Sequence, residues 1–151
     1  MLLITTCRKP CTNTRLFARS LSRLVPDSEY APRGKKNIYE LIELARQKGL
    51  RRIVIVSDFK GNPGELEFIK LDKKNWEWAN EIFKIRSAKF QKERKNAGAL
   101  GVDGALKDIM IDLFDINESE EPDIILTANE KEMKFGDKMH IKYDVYKNSG
   151  E

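Results

Sequence analysis

The sequence predicts an α/β fold in which helices pack on a mixed sheet. A short β-branched run opens the chain at residues 2–6, and a continuous apolar run at residues 53–56 has the character of a strand covered on both faces. Between these runs lie two segments whose apolar residues recur at helical spacing. Strands that alternate with helices in this way are typical of layered α/β domains.

The first helix is predicted from the positions of two prolines. Pro10 is tolerated in a first turn but not in a helix interior, and Pro26 cannot continue a helix. We therefore expect the helix to begin around residues 10–14 and to end near residue 24. Its apolar face repeats at helical spacing: Leu16, Phe17, Leu21 and Leu24.

The second helix carries its own start and stop signals. Asn37 is a favourable N-cap, and Glu40 three residues later completes a capping box. Gly49 is a natural C-terminal stop. A short strand is expected at residues 28–31, before this helix.

A hairpin is predicted after the second helix. Residues 60–64 (KGNPG) are a dense turn signal, and Leu66 and Phe68 then alternate as a partner strand. Residues 75–95 fit two patterns, because Trp76 and Ala79 suit a helix whereas residues 82–90 alternate as a strand. We favour the strand.

The second half of the chain is predicted to repeat strand, helix, strand, strand. Residues 96–101 are expected to form a flexible connection, followed by a helix from about Asp103. Strands are expected at residues 124–126 and 139–146. The apolar stripe of the predicted helix comprises Leu106, Ile109, Met110, Leu113 and Phe114.

Composition indicates a soluble domain with a polarised charge. The chain has 151 residues, 40% of them hydrophobic, and no stretch approaches the roughly 20 apolar residues of a membrane span. The apolar start is too short for a signal peptide, so a cytoplasmic location is expected. Residues 1–95 carry a net charge of +11 and residues 96–151 carry −7. This asymmetry favours a polyanionic partner for the first part of the chain.

Motifs for catalysis and cofactor binding are missing. The sequence has neither a Walker A loop nor a dinucleotide-binding glycine motif, and residues 60–64 join two strands rather than a strand and a helix. Cys7, Cys11 and the single His140 are too few for a standard zinc site. Arg8 and Lys9 beside Cys7 are surroundings that lower a thiol pKa, which leaves a Cys7 nucleophile as the one enzymatic alternative. We expect no catalytic residue, no metal, no cofactor and no enzymatic activity.

An arginine row on the first helix is the positive signal for a ligand. Arg15, Arg19 and Arg23 recur every four residues, and no acidic residue occurs before residue 27. Such like charges repel one another, whereas a phosphate backbone neutralises them. The alternative is a solvated face whose arginine stems cover apolar surface.

A second group of cations is predicted to extend this row. Residues 33–36 (RGKK) precede a helix N-terminus, and the loops at residues 8 and 33 are expected to leave the same sheet edge. The predicted RNA-binding residues are Arg8, Lys9, Arg15, Arg19, Arg23, Arg33, Lys35, Lys36 and Lys60. Without the aromatic strand motifs of an RNA-recognition motif, recognition of RNA shape and backbone is expected.

Three stretches of the sequence resemble the Brix-domain family. Residues 4–10 (ITTCRKP), followed by Arg15 and Phe17, match the strand that enters a basic helix in that family. Residues 30–36 (YAPRGKK) match its short strand and R-G loop, and residues 53–56 (IVIV) followed by 60–66 (KGNPGEL) match its strand and glycine–proline turn. The order and spacing hold over about residues 2–71, and the chain looks most like the compact archaeal members.

The resemblance implies a fold and a function. It implies a single domain over residues 1–151 with two similar halves, about 1–74 and 75–151, each like the anticodon-binding domain of class II aminoacyl-tRNA synthetases. It also implies a non-catalytic, monomeric ribosome-biogenesis factor whose partners are ribosomal RNA or its precursor and other assembly proteins. The alternative function is a protein-interaction module of a ribonucleoprotein complex that makes no RNA contact.

Overall fold

The computed structural model describes residues 1–92 and 95–148, which form three helices and one nine-stranded sheet. The helices are α1 (Thr12–Leu24), α2 (Ile38–Gln47) and α3 (Lys107–Phe114). The strands are β1 (Leu2–Thr6), β2 (Ser28–Tyr30), β3 (Arg52–Phe59), β4 (Asn62–Leu71), β5 (Trp76–Phe90), β6 (Leu100–Asp103), β7 (Ile124–Ala128), β8 (Glu132–Phe135) and β9 (Met139–Lys147). The predicted α/β class, with helices on a mixed sheet, is confirmed.

The same pairing pattern occurs twice in the sheet. The strand order is β2-β1-β3-β4-β5-β9-β8-β7-β6. β1 pairs with β3 in parallel, and β3, β4 and β5 follow as antiparallel neighbours. β6, β7, β8 and β9 repeat this sequence of one parallel and two antiparallel pairings, and β5 pairs with β9 where the repeats meet. The division into halves of about 1–74 and 75–151 stays a prediction, and residues 93–94 and 149–151 of the second half lie outside the described residues.

Two hydrophobic cores lie on opposite faces of the sheet. α1 and α3 share the larger core with the inner face, where Phe68 and Phe114 meet edge to face with ring centroids 5.2 Å apart. α2 packs on the other face through Leu41 and Ala45, against residues of β3 and β4. Because α3 reaches the strands of the first repeat, the two repeats share one core.

The start signals of the first two helices act as predicted. α1 begins at Thr12 and buries Phe17, Leu21 and Leu24. At α2, the Asn37 side chain accepts a hydrogen bond from the Glu40 amide at 2.9 Å, and the Glu40 carboxylate accepts one from the Asn37 amide at 3.2 Å. This reciprocal capping box is confirmed.

Residues 76–90 of the ambiguous segment form a strand, so the helix alternative is wrong there; residues 93–94 of that segment lie outside the described residues. β5 runs for fifteen residues and is covered on both faces in its first part: Trp78 packs on the α2 side, whereas Ala79 and Phe83 enter the larger core. An irregularity between Ile85 and Ser87 then reverses which residues face inward. Both effects break the simple alternation that identifies a half-buried strand.

Three details of the second half differ from the prediction. Residues 100–103 form β6 rather than the end of a flexible connection, and α3 begins at Lys107 rather than near Asp103. β8 (Glu132–Phe135) was not expected at all. β6 and β8 have only four residues each, which is too few for a periodic signal, and their pairing with β7 is what holds them.

Ion pairs between the repeats neutralise part of the charge difference between the basic first part and the acidic second part of the chain. Arg51 holds Asp115 through two hydrogen bonds, of 2.7 and 3.2 Å. Asp112 accepts from Arg52 at 2.9 Å and also pairs with Lys70. Cations of the first repeat thus neutralise carboxylates at the end of α3, so the polarised sequence partly serves contacts within the molecule.

Asp112→Asn is expected to lower the free energy of unfolding by about 1 kcal/mol at neutral pH, because it removes two partly exposed ion pairs. Burial raises the pKa of Asp112, but hydrogen bonds and charges from Lys70 and Arg52 outweigh burial and hold it below the ordinary value. A depressed carboxyl pKa stabilises the fold above the unfolded pKa and loses this effect as the pH falls through the folded pKa. The difference between the two proteins in urea unfolding should therefore begin to shrink near the ordinary carboxyl pKa and vanish only at a pH below the depressed pKa of the folded state.

Glu43→Gln is the matched control for this prediction. Glu43 lies exposed on α2 and makes no ion pair among residues 1–92 and 95–148. Its replacement should change the free energy of unfolding by less than about 0.5 kcal/mol at neutral and at acidic pH. A constant difference between wild type and Asp112→Asn across the pH range would contradict the role assigned to Asp112.

Candidate nucleic-acid interface

The exposed face of α1 carries three arginines and no carboxylate. Phe17, Leu21 and Leu24 bury the opposite face, so the helical period turns Arg15, Arg19 and Arg23 toward solvent. Within the described part of the chain, none of these arginines is in an ion pair. The helix therefore presents three uncompensated positive charges in one row, which we call the arginine row.

Two of these arginines are held by neutral groups. The Arg19 guanidinium carbon lies 5.3 Å from the centre of the Tyr30 ring, a cation–π contact that leaves the charge uncompensated. Arg23 donates from Nη1 to the Asn96 side-chain oxygen at 3.1 Å. These contacts orient the guanidinium groups without neutralising them.

Two cavities lie along this face of α1. The first, of about 500 Å³, is lined by Arg19, Arg23 and Tyr30 together with Lys92. The second, of about 690 Å³, lies toward the start of α1 and includes Lys89 and the end of β5. The cavities share Leu16 and Lys92 as walls, and no carboxylate is among their described lining residues. We call the two together the basic groove.

The sequence prediction missed the lysines of the basic groove. Lys89 and Lys92 come from the end of β5 and the residues after it, far from α1 in sequence. Phe90 brings this segment to α1, because its ring meets Phe17 edge to face with centroids 5.5 Å apart. Arg86 also lines the groove, but Asp144 neutralises it through hydrogen bonds of 2.6 and 2.8 Å.

The loops at residues 8 and 33 do meet at one edge of the sheet. Arg8 donates from Nε to the Lys36 carbonyl at 3.4 Å, and both loops leave the carboxyl ends of parallel strands. Arg8, Lys9, Lys35 and Lys36 make no ion pair among the residues that the structure describes. These four, with Arg33, form what we call the loop cluster.

Lys60 lies at the tip of the hairpin that joins β3 and β4. Its ammonium is 5.2 Å from the centre of the Phe59 ring. A hydrogen bond of 3.1 Å between Asn13 and Asn62 ties the hairpin to the start of α1. Lys60 is therefore at the same end of the molecule as the loop cluster.

Arg33 differs from the other predicted residues because it is only 9% exposed. It donates from Nε to the Lys36 carbonyl at 2.7 Å and from Nη1 to the Thr6 carbonyl at 3.0 Å. Burial, followed by the nearby charge of Arg8, lowers the pKa of Arg33. These two hydrogen bonds hold residues 33–36 against the end of β1.

Arg33→Ala is expected to cost about 2–3 kcal/mol of unfolding free energy, because two backbone carbonyls lose a charged donor. Lys35→Ala, the control in the same loop, should stay within about 0.5 kcal/mol of wild type. Urea unfolding of both variants measures the difference. Equal stability of the two variants would show that Arg33 does not hold the loop.

The environment of the cysteines does not favour a nucleophile. Burial raises the pKa of the Cys7 thiol, and the charge of Asp58 adds to the rise. The expectation that Arg8 and Lys9 lower this pKa is therefore wrong, since Arg8 turns to the Lys36 carbonyl instead. The Cys11 Sγ lies 3.1 Å from the Thr14 hydroxyl oxygen, and the Cys11 backbone amide donates to a carboxylate oxygen of Asp58 at 3.0 Å.

No group of three or more potential metal ligands occurs in residues 1–92 and 95–148. The His140 Nε2 lies 3.4 Å from a carboxylate oxygen of Glu132 on the neighbouring strand. No helix of the described chain is long and apolar enough to cross a membrane.

Curated archaeal proteins are similar to the chain in sequence. A probable Brix domain-containing ribosomal biogenesis protein of Pyrococcus horikoshii is 39% identical over 93 residues, which are 62% of this chain and 41% of that protein. The corresponding protein of Thermococcus kodakarensis is 38% identical over 93 residues, 62% of this chain and 44% of its own length. The matched stretch thus spans less than half of these relatives. No protein-family model matches the chain.

Solved structures share the whole fold. A probable ribosomal biogenesis protein from Aeropyrum pernix matches with a TM-score of 0.76 at 18% identity, over 98% of this chain and 96% of that one. Mil, an archaeal Imp4-like protein, matches with a TM-score of 0.72 at 21% identity, over 98% of this chain and 100% of its own. At these identities the likeness establishes the fold, and the sequence relatives confirm the Brix resemblance.

Proposed function

The chain is a homologue of archaeal Brix domain-containing proteins, and from this premise we propose that it binds ribosomal RNA or its precursor during ribosome assembly, without catalysing a reaction. Two groups supply the phosphate contacts in this proposal, the arginine row and the loop cluster. We propose that it acts in the cytoplasm as a monomer, together with other assembly proteins.

The observation that carries the proposal is a contrast between two sets of cations. Arg51, Arg52 and Lys70 are all paired with carboxylates of the second repeat. The arginine row has no such partner within the described chain, although the molecule contains many acidic residues. A helix that keeps three adjacent positive charges uncompensated gains no stability from them, whereas an external polyanion does neutralise them.

Phosphate binding follows from this arrangement by counterion release. Each cation that contacts a phosphate displaces a condensed counterion, so affinity falls with salt by a log–log slope of about −0.7 per contact for a single strand and −0.9 for a duplex. Arginine is suited to this contact because its planar guanidinium binds phosphate oxygens in pairs. A row of such contacts therefore suits an extended chain of phosphates, as in RNA, better than a small anion.

Salt titration of binding to ribosomal RNA fragments tests the proposal. The wild-type protein should bind at low salt and lose affinity steeply as salt rises, with a slope corresponding to several phosphate contacts. Polyglutamate as a competitor represents the alternative function, an acidic protein partner. Absence of RNA binding at low salt, or equal competition by polyglutamate at equal charge concentration, would contradict RNA binding.

A further inference from the structure

The basic groove continues into the second repeat. A third cavity, of about 410 Å³, lies at the turn between β8 and β9 and shares Lys89 and Phe90 with the second cavity. Lys138 lines it and makes no ion pair in the described chain, whereas Lys134 pairs with Glu132 at 3.5 Å. Asp137 is the one carboxylate among the described lining residues. Three cavities thus follow one another from α1 to this turn, and we call them the three-cavity row.

Each cavity of the row combines a cation with an aromatic ring. The first contains Tyr30 beneath Arg19, and the second and third are both lined by Lys89 and Phe90, whose side chains point to opposite faces of β5. Both rings are only partly buried, and both residues line their cavities. Flat apolar surfaces next to positive charges bind unpaired nucleotides, because a base stacks on the ring or on a guanidinium while a phosphate meets the cation.

We infer that the three-cavity row binds a single strand of RNA, which passes from the arginine row across the end of β5 to the β8–β9 turn. This inference rests on the proposed function and names the form of RNA that the site takes. An A-form duplex keeps its bases stacked inside and presents a ridge of phosphates, so it has no base to place in a cavity. An unpaired strand offers bases and phosphates together, which is what this row can contact.

The lysine variants test whether RNA reaches the second repeat. Lys89→Ala/Lys138→Ala removes two cations that lie outside α1 and make no ion pair among residues 1–92 and 95–148. It should weaken binding of a single-stranded ribosomal RNA fragment roughly tenfold and reduce the salt slope by about one to two. Fluorescence anisotropy of labelled RNA measures both quantities.

The control removes equal charge at the opposite end of the sheet. Lys73 and Lys74 are exposed in the turn before Trp76, and the two ends of β5 are about 45 Å apart for a strand of this length. Lys73→Ala/Lys74→Ala should change affinity by less than about twofold, since distant exposed charges are largely screened. Equal effects of the two double variants would overturn the path proposed for the strand.

The stacking surface is tested without a change of charge. Arg19→Lys keeps the positive charge but removes the planar guanidinium over Tyr30, so single-strand affinity should fall about fivefold or more while the salt slope stays unchanged. Arg15→Lys is the control, since no aromatic contact of Arg15 occurs in the described chain; it loses only the paired phosphate contact and should therefore lose less affinity than Arg19→Lys.

Comparison of single-stranded and duplex RNA of the same sequence completes the test. Wild type should prefer the single strand, and a fluorescent base analogue in the strand should be quenched on binding, as expected for a stacked base. Binding of duplex as tight as single strand, with no quenching, would overturn the inference while leaving RNA binding intact. Failure to bind either form would instead contradict the proposed function.

Discussion

Replacement of Arg15, Arg19 and Arg23 together by alanine is expected to weaken binding of ribosomal RNA fragments by about a hundredfold at about 0.1 M salt, and to reduce the salt slope by about two to three. The reason is that all three charges lie on one exposed face and make no ion pair in the described chain. Salt titrations of the variant and of wild type measure both effects.

The fold of this variant should remain intact. Alanine has a higher helix propensity than arginine, and the replacements remove repulsion between like charges four residues apart. Unfolding free energy should therefore be unchanged or slightly higher, so weaker RNA binding could not be attributed to unfolding.

A second triple variant serves as the control for the loss of three positive charges. Lys73, Lys74 and Lys147 are exposed, make no ion pair in the described chain and line none of the three cavities, so their replacement by alanine removes the same total charge elsewhere. This control should lose less than about threefold in affinity, because contributions of charges away from the interface are screened. If both triple variants lose affinity equally, RNA responds to net charge and not to the arginine row.

Gly104→Ala is expected to cost more than about 3 kcal/mol of unfolding free energy, or to prevent folding. Gly104 has a positive φ of 101°, and an added Cβ would lie 2.2 Å from the Ala128 carbonyl oxygen. The close approach lets the Leu106 amide donate to that oxygen at 3.1 Å, which starts α3 beside β7. Soluble yield and urea unfolding provide the measurement.

Gly61→Ala separates backbone strain from steric collision. Gly61 also has a positive φ, of 78°, but nothing lies within 4 Å of its added Cβ. Its replacement should cost only about 1–2 kcal/mol, the strain of a left-handed residue. Similar costs at Gly61 and Gly104 would show that the Ala128 backbone moves aside, contrary to the tight packing of α3 on β7.

Local patterns sufficed to predict the first two helices and the arginine row. The capping box at Asn37 and the arginine row of α1 depend on residues three or four positions apart, which a sequence displays directly. Gly104, by contrast, carries no sign of its function, because the atom that excludes a side chain there belongs to Ala128 on another strand.

Charge was harder to interpret than periodicity. Arg33 and Lys35 look alike in the sequence, yet Arg33 is buried against two carbonyls whereas Lys35 is exposed. Arg51 and Arg52 also contribute to the basic character of the first part, but they pair with carboxylates at the end of α3. The number of charged residues in a sequence does not show which of them the fold neutralises.

The sequence by itself determined the α/β class, the first two helices, the β3–β4 hairpin and the acid-free arginine row, because each depends on neighbours along the chain. Only the tertiary structure decided that β6 and β8 are strands, that Arg33 is a buried anchor, and that Lys89 and Lys92 stand beside α1. These features arise from contacts such as that of Arg23 with Asn96, which lie 73 positions apart. The packing of Phe90 on Phe17 joins the two segments, and no local pattern records that contact.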